Sequence, residues 1–317
     1  MTSGARWTFG SLLGGAALAA AGGLGLSLYA DRIAREAERL VPQDGRHLEV
    51  EGARLHYVDR GTGPTIVMVH GLGGQLRNFG YAMLDILARD HRVILVDRPG
   101  SGYSTAAEGT EPGIVAQGAI IARFIEALGL DRPLLVGHSL GGAVSLALAL
   151  DRPDLVRALA LIAPLTQVQE EVPDNFRALA AVPPALRQLL AHTLGPPLTR
   201  LTRERSLQMV FAPEAPPADF GTRGGGLLTQ RPSALAAAHA DLLAADREMA
   251  GIVARYPTLG VPLAILFGRG DAVLDPTLHG RRTADTVPGT TFELIDGGHM
   301  IPVTEPELTA GFVARFV

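Results

Sequence analysis

Five consecutive residues, Gly137-His138-Ser139-Leu140-Gly141, carry the first chemical signal in this chain. They fit G-x-S-x-G, a pattern short enough to arise by chance in a glycine-rich sequence, so its surroundings decide its meaning. Leu134-Leu135-Val136 before it reads as a buried strand, and the apolar stretch 140–150 after it reads as a helix. A strand–turn–helix setting holds the serine on a sharp, strained turn, and the flanking glycines remove side chains that would clash. A serine hydroxyl is a poor nucleophile at neutral pH and needs a base to take its proton. His299 is the candidate base: it follows the strand-like run 292–295 and Gly297-Gly298, on a loop free to approach Ser139. Asp271, at the end of another strand-like run, is the candidate carboxylate that orients the imidazole and stabilises its cation. Asp275, just before Pro276, is the rival acid. The other histidines are expected to be structural, His70 packed beneath its loop and His138 turned to the sheet side of the serine turn.

The elements that must position these groups alternate along the chain. Residues 46–50 and 54–60, separated by Glu51-Gly52, read as an antiparallel hairpin. Continuous apolar runs follow at 65–70, 92–97, 134–138, 158–163, 263–268 and 292–295, as expected of strands buried on both faces. Helical patterns at 114–128, 140–150 and 278–286 lie between most of them. Strand alternating with helix predicts an α/β fold with a mostly parallel sheet covered on both faces. From 166 to 259 no convincing strand appears. The interval is proline-rich, contains Gly224-Gly225-Gly226 and has a helical stretch at 233–246, so it predicts a mainly helical insertion over one end of the sheet.

Five motifs in this order resemble those of the α/β-hydrolase fold superfamily, over residues 46–317. His70-Gly71-Leu72-Gly73-Gly74 is similar to the family's oxyanion loop, and Asp97-Arg98-Pro99-Gly100-Ser101-Gly102-Tyr103-Ser104 to the loop after its fourth strand. Ser139 matches the nucleophile. Gly268-Arg269-Gly270-Asp271 with Pro276 resembles the acid loop, and Gly297-Gly298-His299-Met300 with Glu305-Pro306 the histidine loop. The resemblance implies a mostly parallel eight-stranded sheet flanked by helices, with a core over 42–165 and 260–317 and a helical lid over 166–259. It also implies a Ser139–Asp271–His299 triad, an oxyanion hole built from the backbone N–H groups of Leu72 and Leu140, and no cofactor. The expected activity is hydrolysis of carboxylic esters through an acyl-enzyme at Ser139. Relatives that open epoxides or remove halide use an Asp nucleophile, and this chain has Ser139 there. The inserted segment offers only Tyr256 where epoxide-opening relatives use lid tyrosines, and the sole tryptophan is Trp7. Carbon–carbon bond hydrolases of the family usually carry a further active-site tryptophan. Perhydrolase, haloperoxidase-like or acyltransferase activity on the same triad stays open. So does a catalytically silent binding scaffold, whose mark would be a lost triad member.

Composition narrows the alternatives. The chain has 317 residues, 47% hydrophobic and 19% charged, enough for a large core. Net charge is −4 with no basic block, which disfavours nucleic acid as a partner. All 28 basic residues are arginine, so a Schiff-base lysine or a P-loop is excluded. There is no cysteine, which excludes disulfides, zinc–thiolate sites and a cysteine nucleophile. No H-E-x-x-H cluster suggests a metal, and no G-x-G-x-x-G follows a strand. The expected partner is a small apolar ester, because the inserted segment is rich in Leu, Ala and Pro; oligomeric state is left open.

The N-terminus stands apart. Residues 7–30 contain no charged side chain, and 24 residues at ~1.5 Å each give ~36 Å of helix, enough to span a bilayer. The expectation is a single-pass membrane anchor with a juxtamembrane linker over 1–41, the alternative being secretion or periplasmic release after signal cleavage. Arg32, Arg35 and Arg39 downstream favour a cytoplasmic globular domain.

Overall fold

The computed structural model describes residues 4–108, 112–169, 177 and 179–317, with the backbone alone over 4–19. A long helix α1 (Gly4–Leu40) leads into a hairpin of β1 (Arg46–Val50) and β2 (Ala53–Arg60), closed at Gly52. The remaining strands are β3 (Thr65–Val69), β4 (Arg92–Val96), the two-residue β5 (Thr105–Ala106), β6 (Leu134–His138), β7 (Ala158–Ile162), β8 (Leu263–Gly268) and β9 (Thr291–Ile295). The sheet runs β1-β2-β4-β3-β6-β7-β8-β9, with β5 added to the side of β2. The first two pairings are antiparallel and every later one on that path is parallel. The expected eight-stranded, mostly parallel sheet is therefore present, and β5 is an addition to it.

Alternation along the strands divides the core in two. Val67, Val69, Leu135, Leu159, Leu161, Ile265 and Phe267 face helices α2 (Ile114–Ala127) and α3 (Leu140–Asp151). Ile66, Met68, Leu134, Val136, Ala160, Ile162 and Leu266 face the other side, against Phe79, Met83, Phe312 and Val313. Successive side chains on a strand point to opposite faces, so a strand covered on both must be apolar throughout. That is why these runs show no polar alternation. Between β7 and β8 the described residues form helices and turns, chiefly α4 (Gly195–Phe211) and α5 (Pro232–Ala254). Helix α5 reaches 8 residues past the sequence expectation of 233–246 at its C-terminal end.

The membrane expectation is corrected. Among the described residues no helix is long and apolar enough to cross a membrane. The side chains of 7–19, half of the expected anchor, lie outside the described residues. Beyond them the helix does not stop at a membrane boundary but runs on through Asp31, Arg32, Arg35 and Glu36 to Leu40. Ala30, Ile33, Ala37 and Val41 are buried at i, i+3, i+7 and i+11, one stripe of the helix. Ala37 and Val41 pack against Leu228, with Tyr103 and Leu227 beside them. The absence of charge over 7–30 owes much to Gly and Ala, which offer little apolar area, so its length overstated its affinity for hydrocarbon.

Candidate active site

Ser139 sits between β6 and α3 with φ +54° and ψ −124°, a left-handed conformation that costs a non-glycine residue energy and persists where surroundings enforce it. The enforcing groups are local. Its N–H donates to the Ile162 carbonyl at 3.1 Å, and its carbonyl accepts from Gly142 and Leu165. A side chain at Gly137 would strike the backbone of Gly141, and one at Gly141 would strike the backbone of Val69. The two glycines of G-x-S-x-G thus let the helix start press against the sheet.

His299 and Asp271 are brought together. His299 Nδ1 donates to Asp271 Oδ2 at 2.8 Å, with the two side chains only 5% and 0% exposed. The other carboxylate oxygen, Oδ1, accepts from the N–H groups of Val273 at 2.8 Å and Leu274 at 2.9 Å, so Asp271 is held at both oxygens. Asp275 is instead exposed, and its Oδ1 caps the next turn by accepting from Thr277 N–H. The strand-end position of Asp271 suits it to the imidazole, whereas Asp275 serves its own turn. Ser139 and His299 line one cavity of about 500 Å³, within the size range of small-molecule sites. The Ser139 hydroxyl makes no hydrogen bond to His299 among the described residues. Such bonds commonly tighten only when substrate is present.

The groups that steady His299 were not found from the sequence. His138 is buried, donates Nε2–H to the His299 carbonyl at 3.0 Å, and lies ring to ring with it at 4.9 Å. Burial, helped by the neighbouring His299, pushes His138 down to about 3, so it stays neutral. Glu214 accepts from the Gly298 N–H at 3.0 Å and anchors the loop just before His299.

The loop that carries Leu72 is held by a buried arginine. Arg98 is fully buried. Its guanidinium donates to the His70 and Gly71 carbonyls, each at 2.9 Å, to Gln117 Oε1 at 2.8 Å and to Asp241 Oδ2 at 2.9 Å. Gln117 in turn donates to Asp241 Oδ1 at 2.7 Å. The Gly71 carbonyl also accepts from His70 Nδ1 at 2.9 Å and Gly74 N–H at 3.1 Å. Three donors therefore fix its direction. Across a trans peptide the C=O and N–H point opposite ways, so the Leu72 N–H is aimed away from Arg98. The Leu140 N–H opens helix α3 and has no intrahelical acceptor. Neither N–H has a hydrogen-bond partner among the described residues, and both residues line the space around Ser139. His70 accepts from Arg98 N–H through Nε2 at 3.0 Å, and burial with the Arg98 charge lowers it to about 3. It is packed beneath the loop, as expected.

The alpha/beta hydrolase fold profile matches residues 64–306, spanning the serine turn, the Asp271 loop and His299. The chain belongs to this family. It is 28% identical over 287 residues to haloalkane dehalogenase 2 of Mycobacterium tuberculosis, covering 88% of this chain and 96% of that one. It is 37% identical over 118 residues to the dihydrolipoyllysine-residue acetyltransferase component of the acetoin cleaving system of Cupriavidus necator. That match takes 37% of this chain and spans only about a third, 31%, of the relative's length. In three dimensions it resembles a thermophilic esterase from Thermogutta terrifontis at a TM-score of 0.66 and 23% identity, covering 86% of this chain and 98% of that one. The family match and the dehalogenase relative support a hydrolase.

Proposed function

We propose that this α/β hydrolase cleaves carboxylic esters, with Ser139 as nucleophile, His299 as base and Asp271 as its orienting carboxylate. One observation carries the reading: a strained Ser139 and a His299 that donates to a doubly anchored Asp271 open on the same cavity. His299 Nδ1 is engaged by Asp271, which leaves Nε2 to take the serine proton. The N–H groups of Leu72 and Leu140 are the proposed donors to the oxyanion, and such pre-aimed donors supply much of the barrier reduction. The segment 166–259 acts as a lid, since α4 and α5 contribute to the cavity wall. The dehalogenase relative does not redirect this reading, because halide removal in the family runs through an Asp and this chain offers Ser139. A fluorophosphonate probe should label the protein at Ser139 and not label Ser139→Ala. That variant should lose about 10³-fold or more in kcat on a nitrophenyl ester. Ester turnover near that of the parent in Ser139→Ala would remove the assignment.

A further inference from the structure

Ser139 lies at the junction of two cavities of very different size. The large one holds about 500 Å³. The second, about 100 Å³, is lined by apolar Leu140, Leu242 and Met249 and by polar Gln169, Asp241 and Asp246 among others, and meets the first at Leu72, Ser139 and Val273. His299 lines the large cavity, and among the described residues it is not part of the small one. Each cavity offers room for one arm of an ester bound at Ser139.

Which arm goes where follows from the proton. When Ser139 Oγ bonds to the acyl carbon, His299 takes the serine proton. As the carbon–alkoxy bond breaks, that proton must pass to the leaving alkoxy oxygen, so this oxygen has to face His299. The alcohol arm therefore extends into the large cavity. The acyl arm is left on the other side of Ser139, in the small cavity. After the alcohol departs, water enters from the vacated side and gives its proton to His299. Its oxygen adds to the acyl carbon, and the carboxylic acid leaves as Ser139 regains its proton. Both half-reactions use the same side of the serine.

We infer that this chain is selective for esters joining a short acyl group to a bulky, largely apolar alcohol. The inference rests on the proposed ester chemistry at Ser139. A cavity of ~150 Å³ admits a benzene ring, so one of about 100 Å³ suits an acyl chain of about two to four carbons. The large cavity presents Leu190, Leu194, Leu198, Leu207, Val210 and Phe211 to the alcohol arm. Apolar contact there stabilises each methylene taken from water.

Two homologous series on the full chain separate the arms. One holds the acyl group as acetate and lengthens the alcohol from methyl to octyl; the other holds methyl ester and lengthens the acid from acetic to decanoic. Acid release is followed by titration at constant pH. The expected result is a rise in kcat/KM of about tenfold or more along the alcohol series, and a fall of about tenfold or more beyond the butanoyl ester in the acyl series. Leu242→Ala, which widens the small cavity, should improve hexanoyl relative to acetyl esters by about fivefold. A rise along the acyl series, or no dependence on either arm, overturns the placement while leaving Ser139 as an ester-cleaving nucleophile. A chain that hydrolyses neither series and is not labelled at Ser139 by the fluorophosphonate overturns the ester reading itself, and the placement falls with it.

Discussion

At the residue scale, the site depends on which oxygen each carboxylate has to offer. Asp271 gives one oxygen to two backbone N–H groups and keeps the other for His299. Asp275 turns an oxygen to its own helix start and lies at the surface. Asp271→Asn keeps the shape but presents an amide that favours the wrong imidazole tautomer, and kcat should fall by about 10³-fold or more. Asp275→Asn should leave kcat within about threefold and lower thermal stability slightly, through a weakened cap. Side-by-side rates for the two variants decide between them, and a reversed order would make Asp275 the acid. The proposed triad of Ser139, Asp271 and His299 can be picked out of the sequence because each follows a strand-like run beside glycines, a local signature. The residues that steady them cannot. Nothing near Arg98 announces that its guanidinium is fully buried, since arginine is ordinarily exposed. Its partner Asp241 stands 143 positions away, on a helix whose pattern marks only its apolar face.

At the scale of elements, the strands were readable and part of the helical segment was not. Strands covered on both faces leave continuous apolar runs, so β3, β4, β6, β7 and β8 are plain in the sequence. β5 is two residues long and has no period to read. Helix α4 escapes for another reason: part of it faces a cavity rather than a packed core, and Leu198 and Leu201 are left exposed. Periodicity reports burial, and an element that walls an empty space shows little of it. Ala244, Met249 and Ile252 of α5 lie in the same apolar cluster as α2 and α3, and a buried charge pair adds a polar tie. The buried Arg98–Asp241 pair ties α5 to the carbonyls of His70 and Gly71, and through them to the Leu72 N–H. Removing one member of a buried pair leaves the other charge uncompensated. Asp241→Ala should therefore destabilise the fold by about 3–5 kcal/mol. Asp241→Asn, which retains an oxygen for Arg98, should cost about 1–2 kcal/mol. Both should lower kcat, by about tenfold for Asp241→Ala, because the loop that carries Leu72, a proposed oxyanion donor, loses its fixed direction. Chemical denaturation curves for the two variants, with rates on one ester, check both halves. Equal and small losses would mean that Asp241 does not hold the arginine.

For the whole molecule, stability is tied to pH and to the N-terminal helix. His70 and His138 are lowered to about 3 and His279 to about 4, in each case chiefly by burial. Unfolded, these side chains take up protons near pH 6.5; folded, they resist until pH 3–4. Their contribution is thus complete above pH ~6.5 and is lost as pH falls towards the folded values. His56, where burial is outweighed by the bond to Asp97 and the group is raised, acts in the opposite direction but stands alone against four, since burial lowers His239 too. Melting temperature should therefore drop by roughly 10 °C between pH 7 and 4.5, and less in His279→Gln. A flat profile would mean that these imidazoles are not held neutral. The helix α1 makes a separate demand. Its buried stripe of Ala30, Ile33, Ala37 and Val41 lies on the body, and Tyr103 Oη donates to the Val41 carbonyl. Glu36 pairs with Arg200 of α4 and Glu38 with the more buried Arg231 just before α5; the first pair is exposed on both sides and adds little. The apolar stripe is the stabilising part. Ile33→Ala should cost about 2 kcal/mol, at the low end for a buried isoleucine because a surface helix can settle into the gap. For a chain of this size that is roughly 3 °C in melting temperature. Deleting residues 1–40 removes the stripe up to Ala37 and uncovers Leu228, so the loss should exceed that of Ile33→Ala. Every proposed catalytic group lies between His70 and His299, so the shortened chain should still react with the fluorophosphonate at Ser139. A deletion variant that melts with the full chain would show that α1 is not docked as described, and one that is folded but unreactive would bring the helix into the site.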